Sequence, residues 1–223
     1  MVRRPLLATA IVAGVAAAIV SVYVAGHHFI PQEVPVEDAV QATNWGPLAL
    51  TFPIFTWIGD AKGFVIEIGI FVAVLVLNRG AWIFAAAATL TGGWYEAVSH
   101  LIVRPRPTAA QVLHVFETPG ASSYPSGHSM FIVTLTVVLM VCLGYRYLPR
   151  RLYPAGWTLV VLIVAANGIA RMYTGAHWPT DVLGGVLIAT AWLALLASVR
   201  AVSGRVVRPS PARRPIPSAS PTR

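Results

Sequence analysis

One lysine, one cysteine and eight carboxylates are all that this 223-residue chain contains of those classes, and charged residues make up 11% of it. Each shortage excludes something. Soluble domains carry about 25% charged residues, so this chain lacks the polar surface to cover a globule in water. The lone Cys142 rules out a disulfide framework. It lies inside an apolar run, where a small core residue is the simple reading. His27 and His28 are adjacent, yet no second ligand cluster accompanies them, and they read as the wetted end of a span.

What the chain does have is apolar length, with hydrophobic residues at 57%. A bilayer crossing takes about 20 mostly apolar residues, and the windows 6–25, 63–77, 81–103, 130–148, 157–170 and 182–199 are candidates. The first follows the basic "MVRRP" and outruns the 7–15 residue core of a signal peptide, so it reads as a retained helix. The second is short, and "LALTFPIFTWIGDAK" before it reads as a surface-lying or re-entrant lead-in. Lipid supplies no water to unpaired backbone groups, so helices are expected. The expectation is an all-α, polytopic membrane bundle of about six transmembrane helices. It fills residues 1–200 as one domain, with a disordered Pro/Ser/Arg-rich tail over 201–223.

Lys and Arg outnumber Asp and Glu by 16 to 8, a formal net charge of +8. The arginines stand at the ends of apolar runs, which fits topology and anionic headgroups better than nucleic acid. Arg3, Arg4, Arg79, Arg146, Arg150, Arg151 and the tail from Arg200 fall on one side if six helices alternate. The positive-inside bias makes that side cytoplasmic, so the remaining polar segments face outward in a multi-pass cell-membrane protein.

Three of those outer segments carry chemistry. "VRPRP" places Arg104 and Arg106 after the third span. "YPSGH" opens the fourth: a helix N-terminus presents free N–H groups and a positive dipole end to an anion. There Ser126 offers a capping hydroxyl, Gly127 a side-chain-free approach and His128 a titratable proton. "ARMYTGAHWPTD" joins the last two spans with Arg171, His177 and Asp181 in an R-x5-H-x3-D spacing. If His177 starts the last helix, Asp181 shares its face and can fix the imidazole tautomer. Guanidiniums, a helix N-terminus and two histidines together suit an oxyanion with equivalent oxygens, above all phosphate. One imidazole can attack phosphorus while the other protonates the leaving oxygen.

These segments resemble the three signatures of the type 2 phosphatidic acid phosphatase superfamily, K-x6-R-P, P-S-G-H and S-R-x5-H-x3-D. Here they read "SHLIVRPRP", "PSGH" and "ARMYTGAHWPTD", and the resemblance runs from about residue 57 to residue 198. It implies a membrane lipid phosphatase with His177 as nucleophile, Asp181 as its orienting carboxylate and His128 as general acid. Arg106, Arg171, Ser126 and Gly127 would hold the phosphate, without metal or cofactor. Polyprenyl diphosphate, phosphatidate and phosphatidylglycerol phosphate all offer the required handle. A phosphotransferase with a non-water acceptor, or a weakly active lipid-phosphate-binding homologue, is the alternative reading.

The chain departs from the signatures twice. Ser99 stands where the first has lysine, and Ala170 where the third has serine. The lost cation would cost several kcal/mol uncompensated; Lys62, or else His100 or Arg104, is expected to supply it. Glu67 and Glu96 are ionisable groups in apolar spans, where such residues are expensive and often functional. His114 and Glu117 read as exposed loop residues. Gly184 and Gly185 read as sites of close helix packing.

Overall fold

The computed structural model describes residues 3–59, 62–118, 120–203 and 206, with Lys62 placed through its backbone only. Every element described is a helix. In chain order they are α1 (Arg4–Gly26), α2 (Glu33–Ala42), α3 (Phe52–Gly59), α4 (Lys62–Leu77), α5 (Trp82–Thr89) and α6 (Thr91–Leu101). Then come α7 (Gly127–Val138), which runs through a π-helical stretch Leu139–Gly144 into α8 (Tyr145–Tyr147), and α9 (Tyr153–Tyr173), α10 (Pro179–Ser198) and α11 (Arg200–Ser203). The tail over 207–223, expected to be disordered, lies outside the described residues.

Among the described residues, four stretches are long and apolar enough to cross a bilayer: Arg4–Gly26, Gly127–Tyr147, Arg150–Tyr173 and Pro179–Ser198. The other two expected spans differ from their simple form. α4 has 16 residues, about 24 Å of helix against a hydrocarbon layer of about 30 Å. The third is not one helix but two, α5 and α6, broken at Leu90. The cause is local. Thr89 and Thr91 turn their hydroxyls back onto the Ala86 and Ala88 carbonyls, and Gly92 and Gly93 follow with poor helix propensity.

The bundle is inside-out relative to a soluble protein. Its core joins α4, α5, α7 and α10 through Val74, Phe84, Ala85, Met130, Val133 and Leu193. Meanwhile Val12, Ile19, Val22, Val65, Val76 and Val161 are more than half exposed, as lipid-facing side chains should be. α1 lies along α10 on a face of small residues, Ala10, Ala13 and Ala17. The Arg3 N–H donates to the Ser198 carbonyl at 2.9 Å, and Ser21 meets the Tyr124 hydroxyl at 2.8 Å. The first bond ties Arg3 to the end of α10. Tyr147 reaches the Leu77 carbonyl, and Asn78 donates to Cys142. These contacts gather Arg3, Arg79 and Arg146 at one end of the bundle; the signature segments lie at the other.

Two short helices roof that second end. α2 buries a polar stripe, Glu33, Glu37 and Gln41, at i, i+4 and i+8. Gln41 donates to the His114 and Met172 carbonyls and accepts the His114 N–H. The lead-in before α4 becomes a 3-10 turn, Gly46–Thr51, and α3, which crosses directly over His128.

Candidate active site

The "YPSG" loop presses against α10 because Gly184 and Gly185 leave room. A Cβ at either would stand 2.5 Å from the Tyr124 ring or 2.6 Å from the Ser126 carbonyl. Ser126 then caps α7, its hydroxyl accepting the Ser129 N–H at 3.3 Å and the Ser129 hydroxyl at 3.1 Å. It is fully buried and belongs to the scaffold of the turn. Gly127 and His128, the next two residues, line a cavity of about 380 Å³ together with Arg106 and His177. The two imidazoles that lie 49 residues apart in the chain therefore share one cavity.

His177 is almost wholly buried. Its Nδ1 lies 2.8 Å from the Ser123 carbonyl, a partner that only an Nδ1–H can satisfy, so Nε2 keeps its lone pair. Burial, followed by the positive charges of Arg106 and Arg171, holds the ring well below the usual imidazole range, and it is neutral at pH 7. A neutral imidazole anchored at one nitrogen keeps a lone pair on the other, here beside the Arg106 guanidinium, and such a ring can act as a nucleophile.

Asp181 orients this ring by a route that the spacing did not suggest. α10 begins at Pro179, so His177 precedes the helix and the i, i+4 geometry does not hold. Its Nδ1 stands 3.9 Å from Asp181 Oδ2, beyond hydrogen-bond range. That oxygen accepts the Trp178 N–H at 2.9 Å and the Ser123 hydroxyl; Oδ1 accepts from Arg104 at 2.6 Å. The carboxylate fixes Ser123, and the Ser123 carbonyl fixes His177.

The arginines divide their work. Arg106 lines the cavity, with Nη1 3.3 Å from His177 Nε2. It donates to the carbonyls of Gly120 at 3.1 Å, Ser122 at 2.6 Å and Ala176 at 2.6 Å, bracing the two signature loops against each other. Arg171 is fully buried and meets Thr56 Oγ1 at 3.0 Å and Glu117 Oε2 at 2.8 Å; Thr56 in turn donates to Glu117 Oε1 at 2.6 Å. A carboxylate thus sits on this guanidinium. Arg104 does not reach the cavity. It is fully buried in ion pairs with Glu33 and Asp181, and also donates to Thr180 and the His28 carbonyl.

The expected substitute for the first-signature lysine is found at neither of the two described positions. Arg104 is consumed as stated. His100 is exposed and pairs with Glu96 on its own helix. The Lys62 side chain lies outside the described residues. Ser99, in the lysine position, bonds the Glu96 carbonyl. Among the described residues, no three His, Cys, Asp or Glu side chains gather to hold a metal ion.

Four contributors lie outside the signatures, among them Glu117, which reads as an exposed loop residue in the sequence. Glu33, in α2, accepts the Thr180 N–H and hydroxyl, both at 2.8 Å, and pairs with Arg104. Ser123 relays Asp181 to His177. Thr56 and Glu117 sit on Arg171. No spacing signals them, because each acts across 54 residues or more.

Comparison with known proteins agrees with this geometry. The family model described as PAP2 superfamily matches residues 80–205. An undecaprenyl-diphosphatase of Bacillus subtilis is 28% identical over 139 residues, 56% of this chain and 66% of that one. A phosphatidylglycerophosphatase B of the same organism is 36% identical over 96 residues, 40% of this chain and 43% of that one. A decaprenylphosphoryl-5-phosphoribose phosphatase of Mycobacterium tuberculosis is 28% identical over 125 residues, 56% and 60%. The matches span from about a third to just under two thirds of the first curated relatives' own lengths. The fold is shared with the crystal structure of a transmembrane PAP2 type phosphatidylglycerolphosphate phosphatase from Bacillus subtilis. The TM-score is 0.67 at 18% identity, covering 84% of this chain and 93% of that one. With its helices in that arrangement and more than half its length under the family model, this multi-pass membrane protein belongs to the PAP2 superfamily.

Proposed function

We propose that the protein is a lipid phosphatase, cleaving a lipid phosphate or diphosphate on the extracytoplasmic side through a phosphohistidine. One observation carries the reading: His177 and His128 line a single cavity, with His177 Nδ1 committed to Ser123 and the Nε2 lone pair facing the Arg106 guanidinium at 3.3 Å. In the first step Nε2 forms a bond to phosphorus while the bond to the lipid oxygen breaks, and His128 as imidazolium gives that oxygen its proton. In the second, a water attacks phosphorus, His128 takes its proton, the N–P bond breaks and phosphate leaves. Arg106 and the α7 N-terminus stabilise the transferring phosphoryl oxygens. Arg171 does so once the phosphate displaces Glu117.

The relatives' names support the substrate class, since they act on prenyl diphosphates, a prenyl phosphoribose phosphate and phosphatidylglycerol phosphate. The outward orientation rests on the basic end of the bundle, which the positive-inside bias places in the cytoplasm with the tail. The test is phosphate release from a panel of lipid phosphates by purified protein in detergent, with and without chelator. His177→Ala brings release to background and His128→Ala lowers kcat by about 10²–10⁴; chelator changes neither rate nor product. A folded variant of either histidine with full activity refutes the mechanism.

A further inference from the structure

Below the histidines the cavity changes character. Its wall continues along α4, α6 and α7 as Glu67, Thr91, Phe131 and Thr134. A smaller apolar void adjoins it, sharing Glu67, Phe131 and Thr134 and continuing to Ile70 and Val138. Glu67 therefore stands where the polar chamber meets the apolar packing of α4, α5 and α7. A carboxyl at that depth in an apolar helix is expensive unless something uses it. Yet no described residue hydrogen-bonds or ion-pairs with Glu67.

Its neighbours offer acceptors as well. Thr91 and Thr134 give their hydroxyl protons to the Ala88 and Met130 carbonyls, at 2.7 and 2.9 Å, leaving lone pairs for the cavity. A carboxyl presents acceptor oxygen in either protonation state. The threshold is thus rich in acceptors that want donors from a ligand. The second phosphate of a diphosphate brings only more negative charge; a hydroxyl brings a proton. Thr134 lies six residues beyond His128, about 9 Å along α7, within reach of the unit that joins a phosphate held between the histidines to its lipid tail.

We infer that Glu67, with Thr91 and Thr134, is a subsite for hydroxyl groups on that joining unit. The favoured substrates are lipids whose phosphate is esterified to a polyol, glycerol-like or sugar-like, over prenyl diphosphates. The inference rests on the phosphatase reading and names its substrate class.

The test compares kcat/KM of the full-length protein in one detergent for three probes. Dioleoyl phosphatidylglycerol phosphate has a free hydroxyl beside the phosphate; dioleoyl phosphatidate and farnesyl diphosphate have none. Wild type prefers the first, and Glu67→Leu lowers its advantage over phosphatidate by up to about tenfold, the worth of one hydrogen bond. Glu67→Gln, which keeps an acceptor oxygen, retains more of that advantage than Glu67→Leu. The ratio does not depend on how much of a variant folds. An equal fall for all probes, or a ratio untouched by Glu67→Leu, overturns the subsite while the phosphatase stands. Should folded wild type cleave none of the three, the phosphatase reading fails, and equilibrium binding of the same lipids decides. A preference that Glu67→Leu abolishes supports the subsite; one that it leaves intact overturns it.

Discussion

Gly59 sets the position of the proposed general acid, and Gly59→Ala tests that directly. A Cβ at Gly59 would stand 1.9 Å from His128 Cδ2, 2.5 Å from Nε2 and 2.6 Å from Cγ. Non-bonded carbons rest at about 3.5–4.0 Å, so the ring and α3 must separate by about 1.5 Å. Misplacing a catalytic group by about 1 Å costs about 10²-fold, or about 2.7 kcal/mol in the barrier. Relieving the overlap also costs stability, about 1–3 kcal/mol as for other overpacked sites. The expected result is a kcat about 10² below wild type in a protein that still folds, with a modestly lowered unfolding temperature. In a His128→Ala background the same change should cost nothing more, because the displaced ring is already gone. Wild-type kcat in Gly59→Ala, or a full further loss on top of His128→Ala, would show that this glycine does not act through the imidazole.

Two further outcomes follow from the site. Arg106→Lys keeps the charge but replaces a planar fork by a single ammonium, which cannot hold the Gly120, Ser122 and Ala176 carbonyls together. Phosphate release should fall at least tenfold with a lowered unfolding temperature, and a variant equal to wild type in both would remove the bracing role. Glu37 is buried with both carboxyl oxygens unpartnered among the described residues. Burial, then the charges of Asp181, Glu33 and Asp38, raises it to about 9. Between about pH 4.5 and 9 the folded state therefore holds a proton that the unfolded chain has released, and stability falls as pH rises through that window. Thermal unfolding across pH 5 to 9 should show Glu37→Gln gaining on wild type as pH rises; a constant gap refutes the assignment.

The sequence made the membrane bundle plain, since apolar runs of bilayer length have few other uses. It also marked the segments that supply His128, His177 and Arg106. It failed where geometry depends on neighbours remote in the chain. The break at Leu90 hides inside an apolar run, because composition does not register threonines bonding back to their own turn. Asp181 looked like a direct partner of His177 on helical spacing, but the helix starts two residues too late. Arg104 looked like a spare cation for phosphate. Its real occupation depends on Glu33, 71 residues away, whose α2 helix is amphipathic toward the protein and not toward water. Glu117 looked like a loop residue for the same reason: only folding brings it onto Arg171.

The bracing of two loops by Arg106 makes the two ends of the chamber independent of each other. The end of the chamber proposed to grip phosphate is riveted to peptide carbonyls through Arg106, which holds its width. The opposite end is walled by α4, α6 and α7, whose side chains can be exchanged without disturbing the rivet. If the proposed activity holds, diversification for new lipids is thereby directed to the hydrocarbon side, with the paired histidines carried along unaltered.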